Sequence, residues 1–177
     1  MNSDALAPPG ELPEEIGEAA ESGEFDRVKA WLAGGTAAAP RSVNDVDGTG
    51  WTLLMWTTVS PGVSPAHIEF ARYLISQGSE QGTLDRFDGS TALHLACGSI
   101  DRGEATAAMI SMLVAAGATV NTRDDAGLTP LFCIEEVSVY TIDVVTTLLR
   151  AGASLDFQHQ QGWTRSFEEA GRAPEYH

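Results

Sequence analysis

The feature that most constrains this chain is a short turn that returns four times. Gly50-Trp51-Thr52-Leu53-Leu54, Gly89-Ser90-Thr91-Ala92-Leu93, Gly127-Leu128-Thr129-Pro130-Leu131 and Gly162-Trp163-Thr164 carry it, and their glycines stand 39, 38 and 35 residues apart. A closing signal recurs in step with it, as Leu74 to Gly78, Leu113 to Gly117 and Leu148 to Gly152. The clearest unit runs from Asp88 to Thr122. Its turn leads into an apolar run, Ala92 to Cys97, and then a second stripe follows at helical spacing, Met109, Ile110, Met112, Leu113 and Val114. Gly117 stops that stripe, and Val120-Asn121 begins an extended stretch. Turn, short helix, second helix, glycine stop and extended finger make one unit of a helical repeat.

These residues resemble the ankyrin repeat, whose pattern runs G-x-T-P-L-H-x-A-A and then x-x-L-L-x-x-G-A-x-V-N. The resemblance covers residues 13–177. It implies an all-α, helix-turn-helix solenoid with finger loops, made of about four repeats and a partial C-terminal capping repeat. The repeats fall near 13–46, 47–84, 85–122 and 123–157, with the cap over 158–177. Residues 1–12 read as a disordered tail, because Ala7-Pro8-Pro9-Gly10 cannot start a helix and has nothing to bury.

The first unit lacks the opening turn. From Pro13, a favourable first helical position, Glu14 to Ser22 reads as a helix with Ile16, Ala19 and Ala20 on one side. Gly23 breaks it, and Phe25, Val28, Trp31 and Leu32 mark a second amphipathic helix. A terminal repeat needs such a polar outer side because nothing stacks on it. Gly34 to Ser42 reads as a flexible loop. The second unit places Leu53, Leu54 and Trp56 on one helix and Ile68, Phe70, Ala71, Leu74 and Ile75 on the next. Pro61 and Pro65 forbid a continuous helix between them. The loops between paired helices are enlarged in three consecutive repeats, so they emerge on one side of the solenoid, either as a second binding edge or as tolerated surface loops. In the cap, Arg165 to Gly171 reads as one short polar helix.

Charge narrows the partner. The chain has 25 acidic and 10 basic residues, a formal charge of −15, with nine acids against three bases over residues 1–46. That excess excludes nucleic acid, whose phosphates need Lys and Arg, and an anionic membrane surface. It favours a basic protein partner, or serves solubility. Two cysteines inside apolar helix patterns form no disulfide framework. No apolar run approaches the roughly 18–20 residues that span a bilayer, and no basic-then-apolar leader opens the chain. The expectation is a cytoplasmic protein, monomeric when free.

Chemistry finds no foothold. His94 occupies the His slot of the family turn, which implies hydrogen bonds between repeats. Cys97 and Cys133 fall in core slots and are expected to be buried, inert thiols. Glu135-Glu136 and Glu168-Glu169 are adjacent pairs that point to different helix faces, so they do not form an acid–base pair. No nucleophile, phosphate-loop or metal motif is present. The chain is expected not to be an enzyme and to need no cofactor or metal. An activity hidden in the enlarged loops is the minor alternative.

What remains is recognition. The resemblance implies contact through the finger tips and the ends of the first helices. In this chain those positions are Asp47, Thr49 and Trp51; Arg86, Phe87, Asp88 and Ser90; Asp124, Asp125 and Leu128; Gln160, Gln161 and Trp163; and Glu136. Trp51, Phe87 and Trp163 stand where a plain repeat needs no aromatic, and aromatics ringed by charge make hot spots. The alternative for each tryptophan is packing on the neighbouring finger. Trp31 and Trp56 fall on core faces and are assigned to packing. The function expected is a non-catalytic module that binds a basic protein, with inhibition as one form. An immunity or antitoxin protein that neutralises a toxin enzyme is the alternative.

Overall fold

The computed structural model describes residues 10–36, 41–99, 103–134, 140–158 and 164–166. Seven α-helices lie among them, in pairs. The first pair is α1 (Glu14–Ser22) and α2 (Phe25–Ala33), and the second is α3 (Leu53–Thr58) and α4 (Pro65–Ser76). The third is α5 (Ala92–Cys97) and α6 (Glu104–Ala115). In the fourth, a 3-10 helix (Pro130–Cys133) stands before α7 (Thr141–Arg150). First helices stack on first helices, α1 on α3, α3 on α5 and α5 on the 3-10 helix, while α4 packs on α6 and α6 on α7. The expected helical solenoid is what the chain forms.

One continuous apolar seam holds the stack. Leu53, Leu54, Leu74, Leu93, Met109, Ile110, Leu113 and Leu148 are all fully enclosed in it. Burying each such side chain contributes roughly 1.5–3 kcal/mol, which is how short helices with little stability of their own persist. The stop glycines Gly78, Gly117 and Gly152 sit at φ of 91°, 97° and 90°, a left-handed conformation that favours glycine.

The Val-Asn signature has a specific task. Asn44 donates to the Gly78 carbonyl at 3.0 Å and accepts from the Glu80 amide at 2.8 Å. Asn121 makes the same pair of bonds with Gly152 and Ser154, both at 2.8 Å. Each asparagine thus satisfies the backbone at the next helix stop, where carbonyls are otherwise orphaned. The second repeat has no asparagine there, and Gln81 reaches across to the Ala116 carbonyl at 2.9 Å.

Several expectations are corrected. Leu12, placed in the tail, is 1% exposed, its amide donates to the Val46 carbonyl at 2.9 Å, and Glu11 bridges Val46 in parallel. The end of the tail therefore docks like an additional finger. Thr164–Ser166, where the helix of the cap is expected to begin, is instead β2, paired antiparallel with β1 (Asp156–Gln158). The rest of the cap lies outside the described residues. Cys97 is buried, but Cys133 is only half-buried at the end of the 3-10 helix.

The capping of the first helices differs between repeats. In the third repeat, Thr91 and His94 cap α5 reciprocally: the His94 amide donates to Thr91 Oγ1 at 3.4 Å, and the Thr91 amide donates to His94 Nδ1 at 3.1 Å. The fourth repeat carries Phe132 in the His slot, so the box cannot form. Its Thr129 hydroxyl is buried with no partner.

Candidate functional site

Each of the three described fingers opens on an aspartate whose carboxylate folds the turn. Asp47 Oδ1 accepts from the amides of Thr49 at 2.8 Å and Trp51 at 3.0 Å, and from the Thr49 hydroxyl. Asp85 Oδ1 accepts from the amides of Phe87, Asp88 and Gly89 at 3.0–3.1 Å. Asp124 Oδ1 accepts from those of Ala126 and Leu128 at 2.9 and 2.8 Å. Burial alone would raise the Asp85 carboxyl. The bonds it receives from Asp88, Phe87 and the Trp51 indole more than offset that and hold it below its ordinary range.

Neighbouring fingers are tied backbone to backbone. The Arg86 amide donates to the Thr49 carbonyl at 2.9 Å, and the Asp125 amide to that of Asp88 at 2.7 Å. Approach is so close that a Cβ on Gly50 would lie 2.7 Å from Arg86 Cγ and 2.9 Å from its amide nitrogen. With φ at +87°, only glycine suits this position.

Over this frame the first two fingers add aromatics. Trp56 donates its indole N–H to Asp47 Oδ2 at 2.8 Å, and Trp51 donates its own to Asp85 Oδ2 at 3.2 Å, one finger further on. The two rings meet edge to face, with centroids 5.0 Å apart. Room for Trp56 is made by Gly17 in α1, where a Cβ would lie 2.6 Å from the indole nitrogen. Phe87 projects from the second finger, 76% exposed.

A groove of about 620 Å³ opens between these rings and the start of α1. It is lined by Leu12, Pro13, Gly48, Thr49, Trp51, Trp56 and Phe87, with the acids Glu11, Glu14 and Asp47. Four expected contact residues therefore converge: Asp47, Thr49, Trp51 and Phe87. Asp47 contributes charge from the floor, since it is 6% exposed and both its oxygens are engaged within the fold. Trp51 packs on the next finger, as the packing reading expects, and it also lines the groove.

The other expected positions lie elsewhere. Arg86 sits at the rim, its Nη1 3.5 Å from the Gly48 carbonyl. Asp88, Ser90, Asp124, Asp125 and Leu128 belong to the junction of the second and third fingers, beyond the lining. Ser90 is buried there, its carbonyl accepting from the Asp85 amide at 3.0 Å. Gln160, Gln161, Trp163 and Glu136 lie outside the described residues. Sequence reasoning missed Glu11, Leu12, Pro13 and Glu14, and assigned Trp56 wholly to the core although it is half-buried and lines the groove. The available signal was Leu12, an apolar residue immediately before a helix start in an otherwise acidic stretch.

The two described histidines, His67 and His94, bind repeats together. His94 accepts at Nδ1 from the Thr91 amide, so Nε2 carries the proton and donates to the Leu128 carbonyl at 3.2 Å. His67 repeats the device at a second helix, taking the Ser64 amide at Nδ1 and donating to the Glu21 carbonyl at 3.1 Å. Burial lowers the pKa of His94, against the carbonyl bonds and the charges of Asp124 and Asp88 that favour its cation. Burial also pushes the Cys97 thiol well up, with Cys133 adding to it, so Cys97 is no nucleophile at neutral pH. Among the described residues no three His, Cys, Asp or Glu side chains cluster as metal ligands would. No described helix is long and apolar enough to cross a membrane.

Comparison with known proteins agrees with this architecture. A search of curated proteins gives no match. Residues 16–124, more than half of the chain, match the family described as ankyrin repeats (3 copies), a family of protein–protein interaction modules. The chain belongs to the ankyrin repeat family.

Proposed function

We propose that this chain binds a basic protein partner through the groove between the start of α1 and the first two fingers. The observation that carries the reading is the convergence of Trp51, Trp56 and Phe87 with Glu11, Glu14 and Asp47 in one recess. Aromatic anchors in a recess are what dominate binding energy at protein interfaces. The surrounding negative charge, part of a net −15, steers a cationic surface toward it and speeds encounter.

The test uses a basic protein captured from native lysate and then purified. Titration of that partner is expected to lose about tenfold or more in affinity on Phe87→Ala. It is also expected to weaken as salt rises from low to physiological ionic strength. A partner that binds Phe87→Ala as well as the parent chain would refute the groove as the contact. Inhibition, or neutralisation of a toxin enzyme, adds one requirement to this reading. The partner must have an activity that disappears as the complex forms, and the same titration with that activity as readout decides it.

A further inference from the structure

The groove is unusual in what its side chains have left to offer. Three of them carry N–H or O–H groups, Thr49, Trp51 and Trp56. All three already donate to carboxylates of the fold. Thr49 Oγ1 and Trp56 Nε1 donate to Asp47, and Trp51 Nε1 donates to Asp85. Among the described lining residues no side-chain donor remains for a ligand. What remains are ring faces, the apolar surfaces of Pro13 and Phe87, and the exposed carboxylates of Glu11 and Glu14.

Such a surface discriminates by charge. A carboxylate or phosphate would find no free side-chain donor in the lining, only Arg86 at the rim, and would face three negative charges. A purely apolar group would leave Glu11 and Glu14 without a counter-charge. A cation on an apolar stem satisfies both halves, the stem against Pro13 and Phe87 and the head over a ring face. The carboxylate behind each indole strengthens this preference, because donation to an anion polarises the ring and makes its face more negative.

Resting on the reading that the groove is the contact surface, we propose that its occupant is a lysine or arginine side chain on an extended segment of the partner. Its aliphatic stem lies on the apolar wall, and its charged head sits between the Trp51, Trp56 and Phe87 rings and the carboxylates of Glu11 and Glu14. The volume, about 620 Å³, falls in the range of sites that enclose a ligand, and leaves room for the backbone that flanks the side chain.

The test uses the full chain with ¹⁵N-labelled indoles, the four tryptophan signals being assigned by single Trp→Phe substitutions. Four capped peptides of one sequence are titrated, differing only in a central arginine, lysine, citrulline or norleucine. Citrulline and norleucine keep the stem and remove the charge. Arginine and lysine peptides are expected to shift the Trp51 and Trp56 signals saturably. The uncharged pair is expected to bind about tenfold more weakly, and Glu11→Gln with Glu14→Gln to weaken only the charged pair. Equal shifts from norleucine and lysine would overturn the proposal in favour of a plain apolar groove. Charged peptides that move neither indole would overturn it as well. If Phe87→Ala weakens the natural partner but the charged peptides leave the indoles unmoved, the groove stands as the contact and its occupant is not a cation. If Phe87→Ala leaves the natural partner unaffected, the underlying reading fails instead.

Discussion

The first and third full fingers share one turn and differ in what stands on it. Asp47 and Asp124 each gather the amides two and four residues ahead, and each aspartate's own amide donates across the turn, to the Trp51 carbonyl at 3.0 Å and the Leu128 carbonyl at 2.9 Å. At the first finger the second carboxylate oxygen holds Trp56, and Trp51 occupies the position that Leu128 fills at the third. The groove lies only against the first two fingers. The aspartate turn is thus a folding device common to the three described fingers, and the aromatics proposed to carry recognition are an added layer upon it.

That contrast can be broken in a graded series. Asp47→Ala removes the acceptor of two amides, a hydroxyl and an indole from a buried site, and is expected to cost roughly 2–4 kcal/mol. Asp124→Ala, which strands fewer donors at a half-buried turn, is expected to cost about 1–2 kcal/mol. Urea unfolding of both variants checks the order, and equal losses would contradict it. Gly17→Ala places a methyl against the Trp56 ring and is expected to cost about 1–3 kcal/mol, less whatever the helix gains from alanine. Its distinguishing sign is a shifted Trp56 indole signal, and an unchanged signal would mean that α1 does not position the groove.

The histidine contacts give a pH dependence. His94 is neutral in the fold and its pKa is depressed by burial, while the unfolded chain titrates near 6.5. Below that value the unfolded state takes up a proton that the folded state resists, so stability falls as pH drops from 6.5 to the lower folded value. Above 6.5 both states are neutral and the contribution is constant. Unfolding midpoints between pH 8 and pH 5 test this, and a His94→Gln variant is expected to show a shallower fall. Smallest of all should be the effect of Phe87→Ala on stability, within about 0.5 kcal/mol, because the side chain is 76% exposed.

Much of this architecture was legible in the residues. The recurrent Gly-x-Thr turns and glycine stops report backbone geometry that few other residues tolerate, so helix pairs could be placed almost to the residue. Leu12 was legible only as an apolar residue before a helix start, because its burial depends on Val46, 34 positions away, accepting a hydrogen bond. Trp56 was half legible. Periodicity put it on the core face, but its partner Asp47 and the space above Gly17 come from different repeats. The aspartates illustrate the remaining difficulty. A sequence shows an acid at a finger tip, and only the fold shows that Asp47 is engaged inside the turn while Glu11 and Glu14 face outward. The fourth repeat was the reverse case. Its opening matched the family best, yet Pro130–Cys133 forms a 3-10 turn, and the missing histidine is not the reason, because Met55 fills the same slot of the α-helix Leu53–Thr58.

The central claim is that binding follows the aromatics rather than the finger fold. Its most direct test measures affinity for the purified basic partner with Phe87→Ala and Leu128→Ala side by side. A loss of about tenfold or more for Phe87→Ala, with Leu128→Ala within about twofold of the parent chain, is the predicted result. Equal losses, or a larger loss at Leu128, would contradict the account and move the contact to the third finger.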